Sequence, residues 1–533
     1  MARYLKTVST RETTQSAPIP GTAQVPNSAG GFVWVVNDWV RLDRFLVLGS
    51  EGGTYYASEQ TLTAENAEAV LRCITADGER VVKRITDVSE AGRAPKNDPA
   101  IFALALVTAH GDEAARRAAF AALPRVCRTG THLFHFAQFV EQFRGWGRGL
   151  RQAVSAWYTA MPARDLAYQA IKYRQRDGWS HRDLLRLAHP KPTGETQTAL
   201  FHWMTQGWPG VGDAPHPDAA LRVIWAFERA QRATSAAEIV RLIRDERLPR
   251  EAIPPEWLKD AAVWEALLDE MPMTATIRNL ATMTRVGLLV PGSAATARVL
   301  AQLTDAKRIQ SARVHPVAVL AALVTYQSGK GVRSSGEWVP VGQIVDALDG
   351  AFYAAFGNVT PTGKRWLLAL DVSGSMHTGT IAGVPGLTPR IGSAAMALVT
   401  AATEAQYTVM GFSTQFVALP ISPRQRLDDV LKTMDTTRMG GTDCALPMVW
   451  ATEQRVPVDV FAVYTDSETW YGDIHPAQAL ARYREQTGIP AKLIVVGMTA
   501  SKFSIAAPDD AGMMDVVGFD TAAPQIMADF AVR

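Results

Sequence analysis

Apolar positions recur at three- and four-residue spacings from about residue 38 to residue 355, with almost no strict alternation. That period lines one face of a helix with apolar side chains. It predicts helices over 64–74, 99–109, 113–122, 131–143, 150–161, 198–206, 219–230, 236–245, 275–284, 294–303 and 316–326. Short connectors holding Gly, Pro or Asp join many of them, which suggests antiparallel pairs stacked as a solenoid of irregular period. Beyond about residue 360 the pattern changes to short continuous apolar runs at 366–371, 407–412, 459–465 and 492–496, with a helix near Ser393 to Glu404. Such runs read as buried strands, and strands alternating with helices imply a doubly wound α/β domain. Residues 1–30, rich in Ser, Thr, Pro and Gly, read as a flexible arm. The expected fold class is therefore α plus α/β: an arm at 1–30, a helical repeat domain at 31–359 and an α/β domain at 360–533. A chain of 533 residues is too long for one core and accommodates this division.

The first strand ends in chemistry. In Trp366-Leu-Leu-Ala-Leu-Asp371-Val-Ser373-Gly-Ser375-Met376, three oxygen-bearing side chains follow the apolar run at alternate positions. In an open parallel sheet ligands bind beyond the carboxyl ends of the strands, where loops converge. Gly440-Gly441-Thr442-Asp443 comes later, and a second apolar strand ends in Thr465-Asp466. Asp371, Ser373, Ser375, Thr442 and Asp466 make a hard-oxygen set suited to Mg²⁺ or another divalent cation and not to zinc. Cys73, Cys127 and Cys444 lie far apart without C-x-x-C spacing, so disulfides and zinc are not indicated.

Charge separates the two halves. Residues 360–533 hold 13 Lys+Arg against 17 Asp+Glu, and residues 1–359 hold 41 against 35. Arg144–Lys191 alone carries ten basic residues and three acids, the electrostatic footprint of a polyanion partner. Within it, Ser180 is placed to cap a short helix that Pro190 ends, with Asp183 returning a bond to the cap. Arg182, Arg186 and His189 then share one face, and Lys172 and Arg176 read as an i, i+4 pair on the preceding helix. Arg174 lies between that pair, and Tyr173 and Trp179 interleave as stacking surfaces. The alternative is a solvated charged face. His132 and His135 read as structural, and Gly49-Ser50-Glu51-Gly52-Gly53 reads as a turn between helices. Ser328-Gly329-Lys330-Gly331 lacks the spacing of a phosphate-binding loop. No nucleophile and base are assembled, so no catalytic residue is assigned. No run of ~18 apolar residues would span a membrane, and no export signal is evident, so a cytoplasmic location is expected.

The strand-end constellation resembles the metal-ion-dependent adhesion site of von Willebrand factor A domains. There the two serines and the threonine bind the metal directly, the aspartates act mostly through water, and one position stays open for an acidic partner group. Val372, where many such domains have a smaller residue, is a minor departure. The whole chain from about residue 33 resembles the Ro ribonucleoprotein autoantigen family, bacterial members included, in which a TROVE module precedes an A domain. The matching stretches include Lys96-Asn-Asp-Pro99, Arg128-Thr-Gly-Thr-His-Leu-Phe-His135, Lys172-Tyr-Arg-Gln-Arg-Asp-Gly-Trp-Ser-His181, Arg278-Asn-Leu280 and Gly441-Thr-Asp-Cys-Ala-Leu-Pro447. The resemblance implies a ring of HEAT-like helical repeats closed by the A domain. It implies a small noncoding Y RNA on the outer surface and single-stranded ends of misfolded or precursor RNAs in a central hole. It favours Lys172, Arg176 and His189 as RNA contacts, with exoribonucleases as partners and a non-catalytic role in RNA quality control, maturation or decay and stress recovery. The competing reading is a metal-dependent protein-adhesion scaffold whose basic face is incidental.

Overall fold

The computed structural model describes residues 12–49, 59–208, 212, 214–331, 336–356, 359–381, 386–423, 425–435 and 440–533. Of the proposed turn at 49–53, all but Gly49 lies outside them. The chain forms two compact units, residues 71–355 and residues 1–70 with 356–533.

The helical unit begins within α2 (Glu59–Ala91), which departs from helical geometry at Asp77 (φ −165°, ψ 87°). It continues through α3 (Asp98–His110), α4 (Glu113–Val126), α5 (Gly130–Phe143), α6 (Arg148–Ala160) and α7 (Ala163–Lys172). A hairpin of β3 (Gln175–Arg176) and β4 (Trp179–Ser180) leads into α8 (His181–Ala188), α9 (Glu195–Gln206), α10 (Ala219–Ala230) and α11 (Ala236–Glu246). The remainder is α12 (Ala261–Glu270), α13 (Met273–Arg285), α14 (Ala294–Leu303), α15 (Ala306–Ser311), α16 (Pro316–Ser328) and α17 (Gly342–Ala354). Each helix packs on near neighbours in sequence, as in α3 with α4 and α5, α8 with α9, and α16 with α17, which is the solenoid pattern. Caps set the starts: Asp112 accepts from the Ala115 amide and Ser293 from the Thr296 amide. The two ends of the unit bond to each other. His315 Nε2 lies 2.9 Å from the Arg93 carbonyl, and Arg313 donates to the Glu90 carbonyl.

The second unit is built on a six-stranded sheet. Its strands are β5 (Arg365–Asp371), β6 (Gln406–Phe412), β7 (Phe416–Ala418), β8 (Val460–Thr465), β9 (Lys492–Gly497) and β11 (Met513–Val517), in the order β11-β9-β8-β5-β6-β7. All pairs are parallel except β6 with β7. Strands β5, β8 and β9 are buried almost throughout, the near-continuous apolar reading expected of a sheet covered on both faces. One face packs Leu367, Phe461, Val463 and Leu493 against Met448 of α20 (Leu446–Glu453) and Leu480 and Tyr483 of α21 (Pro476–Thr487). On β5 also packs α18 (Pro389–Thr403), and α19 (Leu427–Asp435) and α22 (Ala523–Val532) complete the unit.

The arm expected over residues 1–30 is corrected where it is described. Residues 12–36 fold onto this unit: β1 (Val25–Pro26) pairs with β2 (Phe32–Val35), which pairs with β10 (Phe503–Ser504). Helix α1 (Asp38–Leu48) follows, capped by Asn37. A low-complexity leader can lie flat when its polar groups find partners, and here they do. No described helix is long and apolar enough to cross a membrane.

Candidate functional site

Strand β5 delivers Asp371 to its carboxyl end, and the backbone then turns so that the next hydroxyls converge. The Ser373 amide donates to Asp371 Oδ1 at 2.9 Å, and the Ser373 and Ser375 Oγ atoms lie 3.1 Å apart. Neighbouring strand β8 supplies Thr465, whose Oγ1 donates to Asp371 Oδ2 at 2.7 Å, and then Asp466, which accepts from Ser375. Thr442 arrives on the segment before α20. Its carbonyl accepts from the Trp470 and Tyr471 amides, each at 3.1 Å. Asp371, Ser373, Ser375, Thr442 and Asp466 are all buried, and four of them are joined by the bonds above. Burial, then the charge of Asp466, pushes the Asp371 carboxyl up; burial also raises Asp466. Among the described residues no basic side chain pairs with either acid. Two like-charged buried carboxylates ringed by hydroxyls, with no protein cation, fit a hard divalent ion. Among the described residues, no group of three or more His, Cys, Asp or Glu side chains is placed to hold a metal ion.

Two further acids, not anticipated from the sequence, stand beside this set. Glu468 is buried and pushed up to about 7 by burial and by Asp466; its Oε2 accepts from the Ser28 and Ala29 amides at 3.0 and 3.2 Å. Asp443, raised to about 6 by burial, accepts from Gln15 Nε2 at 2.6 Å and from the Ala445 amide at 2.9 Å. The fully buried Gln15 also donates to the Ile474 carbonyl at 2.9 Å and accepts from Thr469 Oγ1. Asn27 Nδ2 reaches the Thr469 carbonyl at 2.6 Å. The N-terminal segment thus braces the loop 466–475, which in turn holds Thr442. No local sequence signal marks this, since the partners are more than 400 residues apart.

In the basic segment, the helix at Ser180 forms as expected. Ser180 and Asp183 make a reciprocal capping box, and His189 ends α8 in the left-handed region at φ 48°. Arg182, Arg186 and His189 are exposed along it, whereas Leu184 and Leu185 are buried. The i, i+4 reading of Lys172 and Arg176 is corrected: α7 ends at Lys172, and Arg176 sits in the β3–β4 hairpin paired with Trp179. Asp177 (φ 53°) and Gly178 (φ 80°) make the two-residue turn, a signal that Asp-Gly carries in the sequence. Trp179 is buried, donates to Gln138 Oε1 at 3.0 Å and packs on Trp146; it is core and not a stacking surface. Lys172 Nζ lies 5.3 Å over Tyr168 and 5.5 Å over Tyr173, Arg174 lies 5.2 Å over Phe227, and Arg176 is exposed. His135 bridges Asp98 and Asp177 and so ties the hairpin to α5. His132 differs from the satisfied residue expected: its Nδ1 is buried without a partner, and burial lowers its pKa to about 4.

Stacked helix pairs with exposed cations at Arg174, Arg176, Arg182 and Arg186, together with a parallel-sheet domain bearing Asp-x-Ser-x-Ser at a strand end, define the TROVE plus von Willebrand factor A class. The family model for the TROVE domain matches residues 25–207 and 233–364, and that for the Ro60 vWA domain matches 365–531. The TROVE match thus begins within the segment that was expected to stand apart as an arm. The RNA-binding protein RO60 of Deinococcus radiodurans is 46% identical over 510 residues, covering 95% of each chain. That of Caenorhabditis elegans is 37% identical over 581 residues, covering 95% of this chain and 90% of the relative. The crystal structure of the Deinococcus radiodurans RO (RSR) protein superposes with a TM-score of 0.71 at 45% identity, covering 93% of this chain and 99% of that one. The chain belongs to the Ro60 family.

Proposed function

We propose that this chain is a non-catalytic RNA-binding protein of RNA quality control. A Y-type small RNA lies along Lys172, Arg174, Arg176, Arg182, Arg186 and His189, and the closed helical unit takes single-stranded ends of misfolded or precursor RNAs, with exoribonucleases as partners. The observation that carries this reading is the exposed cationic surface at 174–189 in a chain whose relatives are named RNA-binding proteins. Phosphates neutralised there release counterions, so affinity falls steeply with salt, by about one logarithmic unit or less per contact for each tenfold rise in salt. Arg278 and Arg285, both exposed, are candidates for the inner contacts to a strand end.

The test is binding of a structured RNA, with and without a single-stranded tail, across a salt series. Lys172→Ala with Arg176→Ala should weaken binding and flatten the salt slope with thermal unfolding almost unchanged. Pairing the tail should abolish the tail-dependent part alone. An unchanged slope refutes the outer site, and equal binding of blunt and tailed RNA refutes the reader of ends.

At the strand end, Ser373, Ser375 and Thr442 would hold Mg²⁺ or another divalent cation, with Asp371 and Asp466 acting through water. A bound ion would supply an open position for an acidic protein group. The exposed Trp470 and Tyr471, whose amides hold the Thr442 carbonyl, favour a protein ligand there. Asp371→Ala should remove the ion and leave RNA binding nearly intact. A chain that bound no RNA at any salt yet bound an acidic protein through the metal would instead be an adhesion scaffold.

A further inference from the structure

Between α9 and the segment leading into α10 lies a pocket of about 500 Å³ lined by Trp203, Trp208, His202, His216, Glu195 and Leu221. That volume is in the range of pockets that hold small organic ligands. Its aromatic walls are fixed. Trp203 Nε1 donates to Glu228 Oε1 at 3.0 Å, and Phe227 packs edge-on against the Trp203 ring at 5.9 Å. Trp208 packs on His216 at 5.7 Å. His216 is held by Arg222 Nε, which donates to its carbonyl at 3.0 Å, and Trp225 Nε1 of α10 donates to the Gly212 carbonyl at 2.9 Å. His216 Nδ1 accepts from the Asp218 amide at 3.1 Å, which leaves Nε2–H as the donor of the neutral ring. The pocket therefore combines flat π surfaces with a hydrogen-bond donor at His216, a second imidazole at His202 and, in the exposed Glu195, an acceptor.

It also adjoins the cationic surface. Helix α9 packs on α8, which carries Arg182 and Arg186. The Arg174 guanidinium lies over Phe227, the ring that supports Trp203. A buried Trp cluster would be core; half-buried indoles facing an open pocket beside cations have the make-up of a single-strand platform, where aromatic rings take bases and basic side chains take phosphates.

We infer that this pocket holds one unpaired nucleobase of the RNA bound along the adjacent basic surface, with guanine preferred. Guanine offers two N–H groups on one edge to a carboxylate and acceptors at O6 and N7 to a donor such as His216 Nε2. The inference rests on the RNA-binding reading above.

The probe is a set of fluorescein-labelled single strands of mixed sequence, differing at one position (guanine, adenine, cytosine, uracil or abasic), read by anisotropy across a salt series. Trp208→Ala should weaken the guanine strand about tenfold, within the range for loss of one stacked base. The salt slope should stay unchanged, because an indole neutralises no phosphate. Trp208→Phe should recover most of the loss, Glu195→Gln should erase the preference for guanine over adenine, and the abasic strand should be insensitive to Trp208→Ala. Binding unaffected by Trp208→Ala, or a loss that persists with the abasic strand, overturns the pocket and leaves the basic surface standing. If the wild-type protein retains no strand even at low salt, the RNA-binding reading itself fails.

Discussion

Arg44 is the position where one substitution tests the division of the chain. It lies on α1, is almost fully buried, and reaches across the α/β unit. Its Nη2 donates to Asp515 Oδ1 and Oδ2 at 2.6 and 2.7 Å, and Nη1 donates to the Ser501 and Phe503 carbonyls, the latter at 3.0 Å. Asp515, itself only 10% exposed, keeps one other side-chain partner, Ser504 Oγ at 2.6 Å. Arg44→Met fills most of the space and removes every donor. It leaves a buried carboxylate uncompensated, a change that costs about 3–5 kcal/mol, and two carbonyls unmatched. The expected loss is about 4 kcal/mol, confined to residues 1–70 with 356–533.

Hydrogen exchange read peptide by peptide across a urea series measures it, because each unit reports its own opening. Peptides from β9 and β11 should lose protection at lower urea, and those from α10 to α12 should not. Arg44→Met with Asp515→Leu should recover part of the loss, since an apolar replacement of a buried pair is often neutral or better. A cost below about 1 kcal/mol would mean that the pair does not hold α1 in place. Equal loss in the helical peptides would refute the boundary.

Gln15→Ala removes two buried donors that face Asp443 and the Ile474 carbonyl, so the α/β unit should lose about 1–3 kcal/mol and the loop 466–475 should exchange faster; unchanged exchange there would contradict the bracing. Burial lowers the pKa of His132 and of His181 to about 4 each. Their unfolded value is about 6.5, so the helical unit should keep its full stability above that pH. It should then lose about 2 kcal/mol per histidine by pH 5, more as the pH falls to 4; urea midpoints that match at pH 7 and pH 5 would refute this.

Much of this architecture was legible because its signals are local and periodic. The strands at 366–371, 459–465 and 492–496 are buried on both faces, so their apolar runs are continuous, and these and the strand at 407–412, exposed at its start, each appear within one or two residues of expectation. The capping box at Ser180 and Asp183 was equally plain. Arg176 was misplaced because helical spacing outweighed the turn chemistry of Asp177-Gly178, whose left-handed conformations end any helix there. Trp179 was misjudged for the same reason, since the hairpin sends its ring inward. The order of Asp371, Ser373, Ser375, Thr442 and Asp466 was readable, but the brace on Thr442 was not. Gln15, Asn27 and Glu468 act through pairings that only the folded chain brings together.

The charge arrangement at the strand end carries its own consequence for stability. Asp371 and Asp466 are buried side by side, with Glu468 next to Asp466, and hydroxyls and amides offset only part of the cost of keeping them from water. A divalent ion at the proposed site would remove that repulsion in the folded state only. At a hundred times its dissociation constant it should stabilise the α/β unit by about 2.7 kcal/mol. The helical unit, which lacks these residues, should not respond. Asp371→Ala separates the ion from the fold. With chelator present the variant is relieved of one of two repelling carboxylates but leaves the Ser373 amide and the Thr465 hydroxyl unmatched, so the two effects oppose; with Mg²⁺ present only the wild type should gain. Hydrogen exchange of β5 and β8 peptides, with Mg²⁺ and with chelator, reads both effects without any RNA in the assay. A wild-type protein whose β5 and β8 exchange is indifferent to Mg²⁺, Mn²⁺ and Ca²⁺ would show that the strand-end hydroxyls satisfy one another and that no ion is held there.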